Sequence, residues 1–189
     1  MLPRVIWSGK FLNRMNRLLL STLVACLLTG SILHSQAADK PKIEVFFSPK
    51  GGCTEAVVNA LDHATNNVLV QAYSFTSAPI AKALVDAHKR GVKIQVILDK
   101  SQRTEKYSEA DFTAHAGIPT FIDAKHAIAH NKIMVIDGHE VLTGSFNFTK
   151  AAESENAENL LVIEDVQLAG RYAENWKEHL KHSDLYRGR

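Results

Sequence analysis

The chain has 189 residues, 46% of them hydrophobic, with 22 Lys+Arg against 20 Asp+Glu and a formal net charge of +2. That near-balance excludes a global electrostatic pull on a polyanion, so any phosphate must be held by a few well-placed groups. Of the two cysteines only Cys53 lies beyond the apolar N-terminal segment, which excludes a disulfide framework within the chain.

Residues 1–37 read as an export signal. Arg4, Lys10, Arg14 and Arg17 form a basic lead with no acid, Leu18 to Leu33 form an apolar run, and Ser35-Gln36-Ala37 offers a small-x-small cleavage site. Met15 is an alternative start that shortens the lead. A membrane anchor is the competing reading, weakened by Ser21, Thr22, Thr29 and Gly30 inside the run. Leu23-Val24-Ala25-Cys26 resembles a lipoprotein box, yet the apolar run continues past the cysteine, which argues against lipidation. Without the leader the chain keeps 18 basic against 20 acidic residues, so the basic balance belongs to the signal. The expected location is periplasmic or extracellular, and residues 38–189 suffice for one compact domain. Cys53 is expected to be a free thiol packed as a small hydrophobe.

Strand and helix signals then alternate. Ile43 to Phe47 reads as a strand, stopped by Ser48-Pro49-Lys50-Gly51-Gly52. Thr54 is placed to cap a helix to about Asn66, with Val57, Val58, Leu61 and Ala64 at helical spacing. Val68 to Tyr73 is a second strand. Ser77 caps a helix to Arg90, with Pro79 in its first turn and Gly91 ending it. Val92 to Leu98 is a largely β-branched strand, Asp99 to Ser108 a polar loop, and Glu109 to His115 a short helix closed by Gly117-Ile118-Pro119. A strand near Thr120 to Ile122, a hairpin, a strand from Ala157 to Ile163 and a helix from Val166 to Lys181 complete the chain. This alternation predicts an α/β fold, an α/β/α sandwich on a mixed central β-sheet.

The hairpin, "HNKIMVIDGHEVLTGSFNFT" over 130–149, carries the chemistry. Asp137-Gly138 marks its turn. On a strand, His130 and Lys132 share a face about 6.6 Å apart, and Ser145 and Asn147 repeat that interval if the chain stays extended past Gly144. Lysine supplies a compact charge with three donors and asparagine neutral donors, a pairing suited to phosphate oxygens. A neutral imidazole beside them is a competent nucleophile or proton carrier near neutral pH.

His130-x-Lys132, then four residues and Asp137, followed by Gly144-Ser145-x-Asn147, resembles the signature of the phospholipase D superfamily. "FFSPKGG", "VQAYSFTS", "ALVDAHKRGVKIQVILD" and "TGSFNFTKAAESENAENLLVI" resemble its short bacterial endonuclease branch, so the likeness spans residues 38–189. It implies a phospholipase D-like fold and a phosphodiesterase without a metal or other cofactor. His130 would attack phosphorus and become phosphorylated. Lys132 and Asn147 would hold the nonbridging oxygens, Glu158 would orient the imidazole, and Ser145 would add a hydroxyl hydrogen bond. Asp137 and Gly144 complete the motif, and Asp137 at a turn reads as structural. The reaction needs a second histidine for the proton. His179-Leu180-Lys181 is the other His-x-Lys, but Tyr186 stands where its aspartate belongs. A twofold homodimer sharing one active site is therefore expected.

Other constellations compete. His126 and His130 have the i, i+4 spacing of a helical zinc pair, with His139 as a third ligand, but the segment runs into a strand, so no metal site is expected. The Asn147-Phe148-Thr149 sequon falls inside the proposed site and reads as chance. Tyr73, Phe75, Phe146 and Phe148 offer stacking surfaces for bases, one or two of them in a cleft and the rest core. Lys89, Arg90 and Lys93 read as a solvated face, while Lys100, Arg103 and Lys106 are candidate contacts to a nucleic-acid backbone. A phospholipid headgroup is the alternative substrate. A binding module without catalysis is a second alternative, which has no need of a nucleophile.

Overall fold

The computed structural model describes residues 40–189, so the export-signal reading of residues 1–37 lies outside the described residues. Eight strands form one sheet: β1 (Lys42–Ser48), β2 (Asn67–Ala72), β3 (Lys93–Asp99), β4 (Thr120–Asp123), β5 (Lys132–Ile136), β6 (Glu140–Gly144), β7 (Glu158–Glu164) and β8 (Asp184–Tyr186). Their order is β1-β7-β6-β5-β2-β3-β4-β8. β2, β3 and β4 run parallel and every other neighbouring pair is antiparallel. The helices are α1 (Cys53–His63), α2 (Ala78–Lys89), α3 (Ala110–His115), α4 (Lys150–Ser154) and α5 (Val166–Leu180), with a 3₁₀ turn at Lys100–Arg103. This is the mixed-sheet α/β/α sandwich expected from the alternating signals.

Alternate residues of each strand face opposite sides, which splits the core in two. Val57 and Leu61 of α1 and Ile80 and Leu84 of α2 pack with Val68, Val70, Met134 and Leu142. On the other side Val135 and Val141 meet Ala169 of α5, flanked by Leu69, Leu168 and Tyr172. Trp176 anchors α5, its indole N–H donating to Val70 O at 2.8 Å. Cys53 is a free, fully buried thiol at the start of α1. Burial and the neighbouring Glu153 push its pKa up to about 11, so it packs as an inert apolar group.

Two caps differ from expectation. α1 begins at Cys53, its N-cap position is Gly52 with φ 83°, and no local side chain caps it. The carboxylate of Glu153, on α4, accepts the N–H groups of Gly52 (3.2 Å) and Thr54 (2.7 Å) instead. Ser77 does occupy the N-cap of α2, but its side chain makes no capping bond and its N–H donates to Phe148 O. Two elements were not expected. α4 has only five residues, too few for periodicity to register, and is capped by Thr149. β8 is three residues paired to β4, a partner that sequence alone does not reveal.

At the hairpin tip Asp137 and Gly138 both have positive φ, 51° and 70°, and the His139 N–H donates to Ile136 O at 3.1 Å. The Asp137 carboxylate accepts the N–H groups of Thr65 (2.8 Å), Asn66 (2.7 Å) and Asn67 (2.9 Å) and the Thr65 hydroxyl (2.7 Å). Burial opposes ionisation here, but these donors outweigh it and hold the carboxyl below its usual range. A depressed folded pKa contributes stability above the unfolded pKa, about 3.9, and that contribution is lost as pH falls through the folded value. Asp137→Asn should therefore lower stability by about 1.5–3 kcal/mol at neutral pH and flatten the acid loss, measured by urea unfolding across pH.

Candidate active site

The C-terminal end of β2, the N-terminal end of β5, the C-terminal end of β6 and the N-terminal end of β7 meet at one edge of the sandwich, where Ala72 pairs with Lys132 and Gly144 with Leu160. Lys132 opens β5 and is only 6% exposed. Its Nζ donates to His130 O at 2.9 Å and lies 5.2 Å from the centroid of the Tyr73 ring. The same ring packs against the His130 imidazole, with centroids 4.7 Å apart and planes 53° apart. His130 itself is exposed. Burial lowers the Lys132 pKa from the usual lysine value, and the Glu158 carboxylate works against that shift.

Glu158 opens β7 opposite Ser48 of β1 and accepts the Asn156 amide at 3.3 Å. Among the described residues no hydrogen bond joins it to the His130 ring, and its charge acts on Lys132. Gly144 ends β6 where a Cβ would fall 2.2 Å from Asn159 O, which leaves no room for any side chain. The Ser145 hydroxyl oxygen accepts the Asn159 N–H (3.1 Å) and amide (3.4 Å), fastening the turn that follows. Asn147 then sits between two buried phenylalanines with its amide oxygen buried and unpartnered. That oxygen is an acceptor, so a phosphate oxygen does not satisfy it; the NH2 end of the same carboxamide is the part that can donate to one.

The segment that delivers His130 is held from three sides. Asp99, 2% exposed at the end of β3, accepts the Ala129 N–H at 2.7 Å. The Tyr73 N–H donates to Asn131 O at 2.8 Å, and Lys100 Nζ to His126 O at 3.1 Å. Sequence reasoning missed Asp99. An acid ending a buried strand was its only signal, and its partner is 30 residues away.

The other candidates divide. His130, Lys132, Ser145, Asn147 and Glu158 gather at one edge, whereas Asp137 lies at the far end of the hairpin. Arg103 makes a 4.0 Å contact with Asp184, and Lys106 lies over the Tyr107 ring. Lys100, as above, touches the His130 segment. Phe75, Phe146 and Phe148 are fully buried and belong to the core, leaving Tyr73 as the one aromatic of the four at the site. His126 and His130 do not converge. His126 turns to Asp123 and packs against His179 and His182, while His130 packs on Tyr73.

A histidine and a sequestered ammonium at the ends of antiparallel strands, beside a carboxamide, form an arrangement suited to phosphate. The family described as cardiolipin synthase, PLD-like domain, matches residues 57–180. The chain is 43% identical over 137 residues to a phospholipase D of Rickettsia felis, covering 72% of this chain and 68% of that one. It is 30% identical over 166 residues to a mitochondrial cardiolipin hydrolase of Xenopus laevis, covering 74% and 79% respectively. Among solved structures it resembles Nuc, a phospholipase D family member from Salmonella typhimurium, at TM-score 0.76 and 39% identity, covering 79% of this chain and all of that one. The chain belongs to the phospholipase D superfamily and is a hydrolase of phosphodiesters.

If turnover requires Lys132 as a cation, its lowered pKa should place the alkaline limit of activity below the ordinary lysine value. Removing the Glu158 charge removes the opposing influence. In Glu158→Gln the alkaline limb of the pH–kcat/KM profile should therefore move to lower pH, whereas an unmoved limb would show that Glu158 does not act on Lys132.

Proposed function

We propose that the protein is an exported, metal-independent endonuclease that cleaves phosphodiesters through a phosphohistidine at His130 and works as a twofold homodimer. The observation that carries this reading is the buried Lys132 ammonium at the base of an accessible His130. Such a charge is compensated only in part, by one carbonyl, one ring and the field of Glu158, until an anion arrives. A His130 ring nitrogen attacks phosphorus, the bond to the leaving oxygen breaks, and His130 of the partner subunit protonates that oxygen. The same partner histidine then takes a proton from water, which attacks the phosphohistidine and frees His130. Lys132 and the Asn147 amide hold the nonbridging oxygens while charge develops there. Metal independence is supported by the donor set, because the one His/Asp ligand cluster among the described residues excludes His130.

The dimer reading is supported by β1. Ile43, Val45 and Phe47 are 56%, 51% and 64% exposed and project on one face. α5, which packs on β6, β5, β2 and β4, does not cover them. This stripe runs toward Asn159 and Glu158, the partners of Phe47 and Ser48 across the sheet, so a twofold contact there would draw two sites together.

Nucleic acid as substrate is favoured by the likeness to the endonuclease branch and by the 100–107 segment, where Lys100, Arg103 and Lys106 are exposed and Lys106 lies over the ring of Tyr107, itself 69% exposed. A lipid headgroup is the second reading, supported by the names of the Rickettsia and Xenopus relatives. Ile128, 55% exposed and two residues from His130, adds to it.

Plasmid nicking in excess chelator, beside phosphatidylcholine and cardiolipin hydrolysis, tests the substrate; lipid cleavage without nicking would transfer the site to the second reading. Acid-quenched turnover should carry phosphate on His130, and His130→Ala should lose on the order of 10⁴-fold or more in kcat. In sedimentation, Phe47→Asp should shift dimer to monomer and lose activity with it. A fully active monomer would end the shared-site scheme. Export predicts an N-terminus at Ala38 in the periplasmic or secreted protein.

A further inference from the structure

Two strands along from β2, at the same end of the sheet as His130, four side chains converge on one point. Asp123 ends β4 with its side chain fully buried. One carboxylate oxygen accepts the Lys125 N–H at 3.1 Å, which fixes the group so that the other, Oδ2, faces three imidazoles. His179 Nδ1 lies 2.8 Å from Oδ2, His126 Nδ1 3.0 Å and His182 Nε2 3.4 Å. The rings pack mutually, with centroids 4.9, 5.2 and 5.4 Å apart. One ligand atom from each of the four residues lies within 4.8 Å of the other three.

Three imidazoles and a carboxylate form a complete donor set for a borderline-soft divalent ion. Tetrahedral zinc with bonds of about 2.0–2.1 Å places neighbouring donor atoms about 3.3 Å apart. The three Asp123–His distances already bracket that edge, so closing the site needs chiefly that the histidine nitrogens draw together. Hydrogen bonding alone is a poor account of the crowding. One or two donors would satisfy a buried carboxylate, and each neutral imidazole here must aim its single N–H at the same oxygen. The supporting contacts also suit a ligand shell: the Lys125 N–H orients the carboxylate, and Lys100 holds the backbone of His126.

We propose that Asp123, His126, His179 and His182 bind a divalent transition ion, zinc fitting best, as a closed four-ligand structural centre. His179 and His182 come from the end of α5 and the turn after it, and His126 from the segment that delivers His130. The ion therefore clasps the C-terminal helix to that segment. With all four positions filled by protein, none remains for substrate, and the centre stands apart from the phosphodiesterase chemistry.

The test uses untagged protein stripped with chelator and titrated with zinc alone. One equivalent per chain should bind and raise Tm, and Co²⁺ in its place should give the intense visible absorption of a tetrahedral site. His179→Ala and His182→Ala should each lose the stoichiometric ion, the cobalt spectrum and the zinc-dependent rise in Tm, while His139→Ala keeps all three. If His179→Ala does not fold, His182→Ala and His126→Ala, both at more accessible rings, carry the same readouts. No stoichiometric uptake by the unaltered protein would overturn the proposal. So would zinc binding that survives His182→Ala and His126→Ala with an unchanged cobalt spectrum. Because none of these readouts involves turnover, failure of the nuclease reading would leave them untouched. Conversely, nicking should persist in chelator below the lowered Tm.

Discussion

The ammonium group of Lys132 is the point on which the arrangement turns. Burying a cation at the head of a strand whose other residues are all apolar is unfavourable unless opposite charge or hydrogen bonds compensate it. Here the compensation is partial: one backbone carbonyl, one aromatic face and the field of Glu158. A group so incompletely satisfied is pre-organised for an anion, because the protein has already excluded much of the water that would otherwise screen it. The neighbouring features serve that placement. Gly144 lets β6 approach β7 closely enough to bring Glu158 alongside, and Tyr73 supports ammonium and imidazole with one ring.

The His130 segment shows how a loop acquires the precision of a strand. It lies outside regular structure, yet Asp99, Tyr73 and Lys100 each hold a backbone atom of it. The Asp123 cluster adds a fourth hold at His126. A side chain on an untethered loop would sample many orientations, whereas four attachments to the end of β2, β3, β4 and the 3₁₀ turn limit His130 to few.

Much of this was legible in the sequence because it depends on period and on local chemistry. The alternating strand and helix patterns gave the sandwich, and the two-residue spacing of His130 and Lys132 required an extended segment. What stayed hidden involves partners distant in the chain. Glu153 capping α1 from α4, Asp99 holding Ala129, and His179 reaching Asp123 across 56 residues leave no periodic trace. His126 shows the limit most clearly. Its spacing from His130 invited a helical zinc pair, while its actual companions sit on another strand and on the last helix. Phe146 and Phe148 mark a smaller limit, since a phenylalanine beside an active-site residue reads alike whether it faces a cleft or the core.

Asp137 stands roughly 16 Å along the strand from Lys132, by the rise of five extended residues. Its carboxylate is spent entirely on the backbone and hydroxyl of residues 65–67. The motif is thus a composite, with the proposed reactive residues at one end of a hairpin and an architectural one at the other. A chain that kept the aspartate and glycine but exchanged the histidine would retain this sheet and half of the motif, and a search weighted toward the turn would still count it as a hydrolase.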